Sequence, residues 1–211
     1  MLRPVPAFRR ALTTAVTFVL LLASVPASAG EGGAPAEPWM FQTRLVLTGN
    51  SDHSEPAGFT VYSAVTLEAA LCRRLSRQLT AELSLRTESR EVDRAAAGGP
   101  DKRLGSLELL PITLAIQYRP AGGGTVHPYA GFGVNMTTAW EKSGELDSLD
   151  VGPHLGPAVQ LGADFDLGPR VVFNTHVGWN TLVTDIDRAG TRFARLKIDP
   201  IALGLGVGFR F

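Results

Sequence analysis

The last eleven residues, Ile201-Ala202-Leu203-Gly204-Leu205-Gly206-Val207-Gly208-Phe209-Arg210-Phe211, decide the fold. Large apolar side chains occupy every odd position, and Ala, Gly or Arg every even one. Successive side chains of a β-strand point to opposite faces, so one face of this segment is wholly apolar and the other small. In a soluble sandwich the apolar face turns toward a second sheet. In a membrane barrel it turns outward to lipid, and the small or polar face lines the interior.

Toward the N-terminus the same alternation recurs seven times. Phe41, Leu45 and Leu47 oppose Gln42, Arg44 and Val46, and Val65, Leu67 and Leu71 oppose Thr66, Glu68 and Ala70. Leu79, Leu83 and Leu85 oppose Thr80, Glu82, Ser84 and Arg86; Ile112, Leu114, Ile116 and Tyr118 oppose Thr113, Gln117 and Arg119. Phe132, Val134 and Trp140 oppose Tyr129, Gly131 and Asn135; Leu161 and Phe165 oppose Gln160 and Asp164. Val171, Phe173, Val177 and Trp179 oppose Asn174, His176 and Gly178. Eight such strands is an even number, each long enough to cross a bilayer. The connections at 73–77, 120–126 and 168–170 are short, whereas 49–58, 87–108, 141–154 and 181–197 are long, charged and rich in Gly and Asp. Short periplasmic turns and long external loops belong to outer-membrane barrels. The pattern predicts an all-β, eight-stranded antiparallel up-and-down transmembrane β-barrel over residues 39–211, with both termini periplasmic.

Aromatic residues fit this arrangement. Trp39, Phe41, Tyr118, Phe165, Phe209 and Phe211 fall at the periplasmic ends of strands, and Phe59, Trp140 and Trp179 toward the other side, all on the lipid-facing parity. Trp39, Trp140 and Trp179 are read as parts of the interfacial aromatic girdle.

Export is written at the N-terminus. Arg3, Arg9 and Arg10 precede the apolar run 11–23, followed by small residues ending in Ala27-Ser28-Ala29. A run of about 13 apolar residues is shorter than the roughly 20 needed to span a bilayer as a helix, and the pattern predicts a signal peptide over 1–29, cleaved before Gly30. A short periplasmic segment, 30–38, then leads into the barrel. Of the 211 residues, 20 are Lys or Arg and 20 are Asp or Glu; removing 1–29 takes away three Arg and leaves a formal charge of −3. No basic stripe favours nucleic acid. A hydrophobic content of 45% excludes a disordered chain. The single cysteine, Cys72, excludes an internal disulfide, and the four histidines show no metal-ligand spacing. No metal, cofactor or catalytic residue is expected, and the protein is not read as an enzyme.

Other signals have plain readings. Gly204-Leu205-Gly206-Val207-Gly208 lacks the following helix that a dinucleotide loop requires. His176 faces the interior without a placed nucleophile, so a lipid-modifying enzyme is disfavoured. Asp52-His53 and Asp185-Ile186-Asp187 read as solvated loop charges, and Cys72 as an inert inward thiol. The interior polar set is Arg44, Glu68, Glu82, Arg86, Arg119, Asp164, Asn174, His176 and Arg210, with Asp166 among the inward charges. These charges are expected to pair, and a barrel of eight strands is just wide enough for side chains to fill.

Three stretches carry a family resemblance: Leu110-Pro111-Ile112-Thr113-Leu114-Ala115-Ile116-Gln117-Tyr118, the strand Pro128-Tyr129-Ala130-Gly131-Phe132-Gly133-Val134-Asn135-Met136-Thr137-Thr138, and Asp185-Ile186-Asp187 followed by Asp199-Pro200 and the ending Gly208-Phe209-Arg210-Phe211. Their order and spacing resemble the OmpW family of outer-membrane proteins, which includes AlkL-type importers of hydrophobic compounds. The resemblance implies a barrel in the bacterial outer membrane that passes small hydrophobic molecules, the solute leaving sideways into the bilayer. It implies a lumen constriction at Ser84 and Gly178, where this chain carries small residues in place of large apolar ones; Trp179, Leu182 and Val183 offer apolar surface near the external rim. The aromatic residues Phe209 and Phe211 resemble the signal read by the outer-membrane assembly machinery. Expected partners are that machinery, outer-membrane lipid and lipopolysaccharide, and small hydrophobic solutes, with no nucleic acid; a monomer is the default. The alternative function is a structural or surface-interaction barrel whose lumen is sealed by ion pairs.

Overall fold

The computed structural model describes residues 38–49, 53–55, 59–61, 64–94, 102–121, 124–143, 150–151, 153–188, 191–198 and 201–211. The expected signal peptide, all of the segment 30–38 except Pro38, and Asp52 lie outside the described residues. The elements are β1 (Trp39–Thr48), β2 (His53–Glu55), β3 (Phe59–Val61), β4 (Ala64–Arg74), β5 (Leu79–Arg86), β6 (Glu88–Arg94), β7 (Lys102–Tyr118), β8 (Val126–Lys142), β9 (Asp150–Val151), β10 (His154–Asp166), β11 (Val171–Asn180), β12 (Leu182–Arg188), β13 (Thr191–Ile198) and β14 (Ile201–Arg210).

Eight of these close a ring in the order β1, β4, β5, β7, β8, β10, β11, β14 and back to β1, every neighbour antiparallel. The seam between first and last strand runs in unbroken register from Met40↔Arg210 to Thr48↔Ala202. Phe211 N donates to Trp39 O at 2.9 Å, and Trp39 N to Phe211 O at 3.2 Å. Closure leaves no sheet edge, which a bilayer requires because lipid cannot hydrogen-bond a bare backbone.

The period-two pattern sets the orientation of side chains. Leu67 and Phe132 on the outward parity are 65% and 66% exposed, while inward Gln42 and Asp164 are 0% exposed. A protein whose large apolar residues point out and whose polar residues are buried is inverted relative to a water-soluble domain. Ala81, Leu83 and Ile112 share the outward parity and are nevertheless buried.

Two of the long segments expected to be loops, 87–108 and 181–197, are largely strand among the described residues. β6 continues the pairing of β7 beyond the end of β5, β8 runs on to Lys142, and β12 and β13 form a hairpin flanked by β9 and β2. Their charges disguise them in the sequence. Beyond the bilayer both faces of a ribbon meet water, so pairing of backbone groups continues while the apolar alternation has no reason to. Pro111 fits this architecture: Leu85↔Ile112 is the last β5–β7 pair and Glu88↔Leu109 the first β6–β7 pair. The missing N–H of proline therefore falls at the interruption between β5 and β6. On the other side of β7, Glu108 pairs with Glu141 and Leu109 with Ala139, so β8 carries Trp140 as an extra residue. A bulge of this kind bends its strand and increases the local twist. The barrel thus has a short-turn end, bearing both described chain ends, and a ribbon end.

Candidate functional site: a polar plug across the lumen

Inward-facing side chains meet in the short-turn half of the barrel, and Arg44 of β1 lies at their centre. Its Nη1 lies 2.8 Å from Glu68 Oε1 of β4, and its Nη2 lies 2.5 Å from Glu82 Oε2 of β5. Arg44 Nε donates to Asn174 Oδ1 of β11 at 2.9 Å, and Nη2 also donates to Gln42 Oε1. One guanidinium thereby ties four strands together. Its planar fork of five donors is the geometry that such convergence demands.

A second layer lies nearer the short turns. Arg119 of β7 meets Asp164 Oδ2 of β10 at 2.5 Å and donates to Gln117 Oε1 at 2.7 Å. Gln117 Nε2 donates to Glu82 Oε2 at 2.9 Å, joining the two layers. Asp164 Oδ1 accepts from Gln42 Nε2 at 3.1 Å and from Asn174 Nδ2 at 2.6 Å. The Arg119 guanidinium covers the Tyr129 ring at 4.8 Å, and the Tyr129 hydroxyl reaches Asn174 Nδ2 at 3.2 Å and His176 Nδ1 at 3.3 Å. Toward the ribbon end, Arg86 lies 3.5 Å from both Glu68 and Glu88. Arg44, Arg86 and Arg119 thus stand among Glu68, Glu82, Glu88 and Asp164, three cations to four carboxylates. A buried charge is tolerable only when paired and hydrogen-bonded, and low local polarity strengthens each bond in such a network.

Of the nine polar residues expected in the lumen, eight therefore belong to one connected network. Arg210 does not join it. It pairs with Asp166 at 2.6 Å, and Asp166 also meets His127 Nε2 at 2.8 Å, forming a separate group at the short-turn rim. Gln42, Gln117, Tyr129 and His127 are participants that sequence reading did not single out. Their inward parity was legible; neutral side chains gave no charge to draw attention. Cys72 is buried, with its thiol 3.5 Å from Glu82 Oε2. A cavity of about 20 Å³ bordered by Trp39, Met40, Cys72, Arg74, Arg119 and Asp164 leaves room for about one water.

Small residues interrupt this lining: Ser84 lies between Glu82 and Arg86 on the inward face of β5, and Gly178 lies two residues beyond His176 toward the ribbon end of β11. Ser84 is buried between Ala70 and Thr113 on the neighbouring strands, and Asn135 donates to Thr113 Oγ1 at 2.8 Å and accepts from Thr137 Oγ1 at 2.7 Å. Gly178 sits beside the His176 ring, whose Nε2 would lie 2.8 Å from a Cβ placed there. Ser84 and Gly178 thus provide a small, polar lining. Of the three girdle tryptophans, Trp39 is half-buried beneath Arg73 and Trp179 is exposed, whereas the side chain of Trp140 lies outside the described residues. The side chains of Leu182 and Val183 are likewise outside them. Phe209 and Phe211 are exposed on the outer surface. Also outside, a groove of about 700 Å³ runs across β4, β1, β14, β11 and β10, bordered by Leu45, Leu47, Leu161, Val177, Leu203 and the backbone at Gly204.

Comparison with known proteins agrees with this architecture. The model of the OmpW family matches residues 42–211. The chain is 31% identical over 204 residues to the uncharacterized outer-membrane protein y4mB of Sinorhizobium fredii, covering 90% of this chain and 88% of that one. It is 30% identical over 115 residues to the outer membrane protein AlkL of Ectopseudomonas oleovorans, covering 52% of this chain and 49% of AlkL. The crystal structure of OprG from Pseudomonas aeruginosa superposes with a TM-score of 0.71 at 24% identity, over 85% of this chain and 98% of that one. Family, relatives and closed barrel together place the protein in the bacterial outer membrane as a non-enzymatic barrel: the chain belongs to the OmpW family.

Proposed function

We propose that this barrel passes small hydrophobic molecules into the outer membrane, receiving them at the ribbon end and releasing them sideways into the bilayer. The single observation that carries the reading is the plug. Axial passage of an apolar solute would drag it through Arg44, Glu82, Arg119 and Asp164, groups that have no favourable contact to offer it. The short-turn end, which we place in the periplasm, is thereby closed, and the bilayer is the nearest apolar phase. The outer groove bordered by Leu45, Leu203 and Val177 lies beside His176 at the level of the plug, and offers an apolar surface to a leaving solute. The partial likeness to AlkL supports the same direction.

Flux of a fluorescent hydrophobic probe and ion conductance, recorded on the same refolded protein in liposomes and planar bilayers, test the reading. Probe flux with little conductance is expected. Ser84→Phe and Gly178→Leu, which enlarge small residues of the lumen lining, are expected to lower the flux severalfold while the barrel still folds. Flux no faster than that of empty liposomes, from protein shown to be folded, would overturn the proposal. It would favour the second reading, a structural barrel whose working parts are its ribbons, which the same charge-paired plug supports.

A further inference from the structure

Arg74 takes no part in the plug. It ends β4 on the inward parity, half-buried and in register with Thr80 of β5. Both residues border the small cavity at the short-turn end, which Trp39, Asp164, Arg119 and Arg210 also border. Three arginines therefore face one small space. Arg119 is paired with Asp164 at 2.5 Å and Arg210 with Asp166 at 2.6 Å. Arg74 has no ion pair and no side-chain hydrogen bond among the described residues. Guanidinium stays charged at any physiological pH, so a half-buried cation beside two others calls for an anion.

Thr80 is the second unengaged group at the cavity. It is 5% exposed, yet its hydroxyl has no hydrogen-bond partner among the described residues. A buried hydroxyl of this kind calls for a partner in the space that it borders. Asp164 does not supply one, because its Oδ2 is taken by Arg119 and its Oδ1 by Gln42 and Asn174. Charge and size narrow the ligand further. Pairing Arg119 and Arg210 with their aspartates leaves the Arg74 charge uncompensated beside the cavity. The space of about 20 Å³ holds about one water. A monatomic anion fits there, whereas a phosphate or sulfate with four oxygens does not.

We propose that Arg74 and Thr80 form a halide site in the short-turn mouth of the barrel, filled by chloride. The Arg74 guanidinium and the Thr80 hydroxyl donate to the ion, and Arg119 and Arg210 add positive potential around it. The ion neutralises the one arginine of this cavity that lacks a carboxylate. The site is independent of the transport reading and lies on the other side of the Arg119–Asp164 pair from the ribbon end.

Iodide quenches tryptophan fluorescence on contact, and Trp39 at the edge of the cavity reports its binding. Titration of the refolded barrel with iodide at constant ionic strength should show a saturable component above linear collisional quenching, and chloride should displace it. Trp39→Phe should remove that component. Arg74→Gln should raise the iodide concentration for half-saturation about tenfold, as expected for loss of a charge-assisted hydrogen bond. Thr80→Val, which keeps every charge, should raise it by a smaller factor. Purely linear quenching of the native protein would overturn the proposal, as would equal half-saturation in the native protein and Arg74→Gln. Displacement by acetate at lower concentration than by chloride would assign the site to a carboxylate and overturn the halide assignment. Should Arg74→Gln fail to fold, undiminished iodide binding by Thr80→Val would sink the idea equally.

Discussion

The Arg44 guanidinium and the Glu82 carboxylate meet at 2.5 Å with each side chain 1% exposed, at the centre of a lumen that lipid-facing strands enclose. Neither group has solvent to fall back on. Their pairing therefore behaves differently from a surface ion pair, whose contribution is typically about 0–1 kcal/mol.

Arg44→Gln leaves Glu68 and Glu82 buried without their shared cation, and should cost about 3–5 kcal/mol of stability. Adding Glu82→Gln removes one orphaned charge and should recover part of that loss. Urea titration of the refolded barrel, read by tryptophan fluorescence as a double-mutant cycle, measures the coupling. Equal and additive losses would show that the two residues do not act as a pair.

If the plug is the seal, opening it must conduct. Arg44→Ala combined with Glu82→Ala removes the ion pair at the centre of the plug while leaving every strand pair intact. Single-channel recordings should show conductance well above that of the native barrel. Unchanged conductance in a folded double variant would move the seal elsewhere in the lumen.

Two glycines on the inward face of β14 should respond differently to the same substitution. A Cβ at Gly206 would run into the Thr43 carbonyl and lie 2.8 Å from Arg44 Cγ, whereas one at Gly204 finds its nearest atoms at 3.4 Å on His176 and 3.5 Å on Val46. Gly206→Ala should therefore destabilise by roughly 1–3 kcal/mol through overpacking, and Gly204→Ala by much less. Thermal or urea unfolding of the two variants side by side checks the difference. Similar losses would mean that β14 shifts freely and that its close approach to β1 is not required.

Phe211 offers a separation of folding from assembly. Its backbone closes the seam with Trp39 in both directions, while its ring is exposed on the outer surface. Phe211→Ala keeps both hydrogen bonds and removes the ring. Refolding into detergent should be nearly unchanged, and the amount inserted in the outer membrane of cells should fall severalfold. Equal insertion would exclude a role for this aromatic ring in recognition.

Sequence alone determined the barrel. Ile201–Arg210 and its seven counterparts alternate with a period that only a two-faced strand explains, and the sorting of short and long connections implies an up-and-down ring. It also determined which charges point inward, because parity assigns a face to each residue once the strand is recognised. It did not reveal the ribbons. Glu88–Arg94 is a strand paired through most of its length with β7, yet its charges carry no apolar alternation, since water bathes both faces outside the bilayer.

Tertiary structure decided who pairs with whom. Arg44 and Asn174 are 130 residues apart and become partners only because closure of the barrel brings β1, β14 and β11 side by side. Parity fixes a side chain's face but not its height across the ring, which depends on the stagger of all eight strands. For that reason Arg210, inward like Arg44, joins Asp166 at the rim instead of the plug. The neutral members Gln42 and Gln117 were hidden for the same reason: their importance lies in reaching two charged neighbours at once, a property of three-dimensional spacing that no single strand displays.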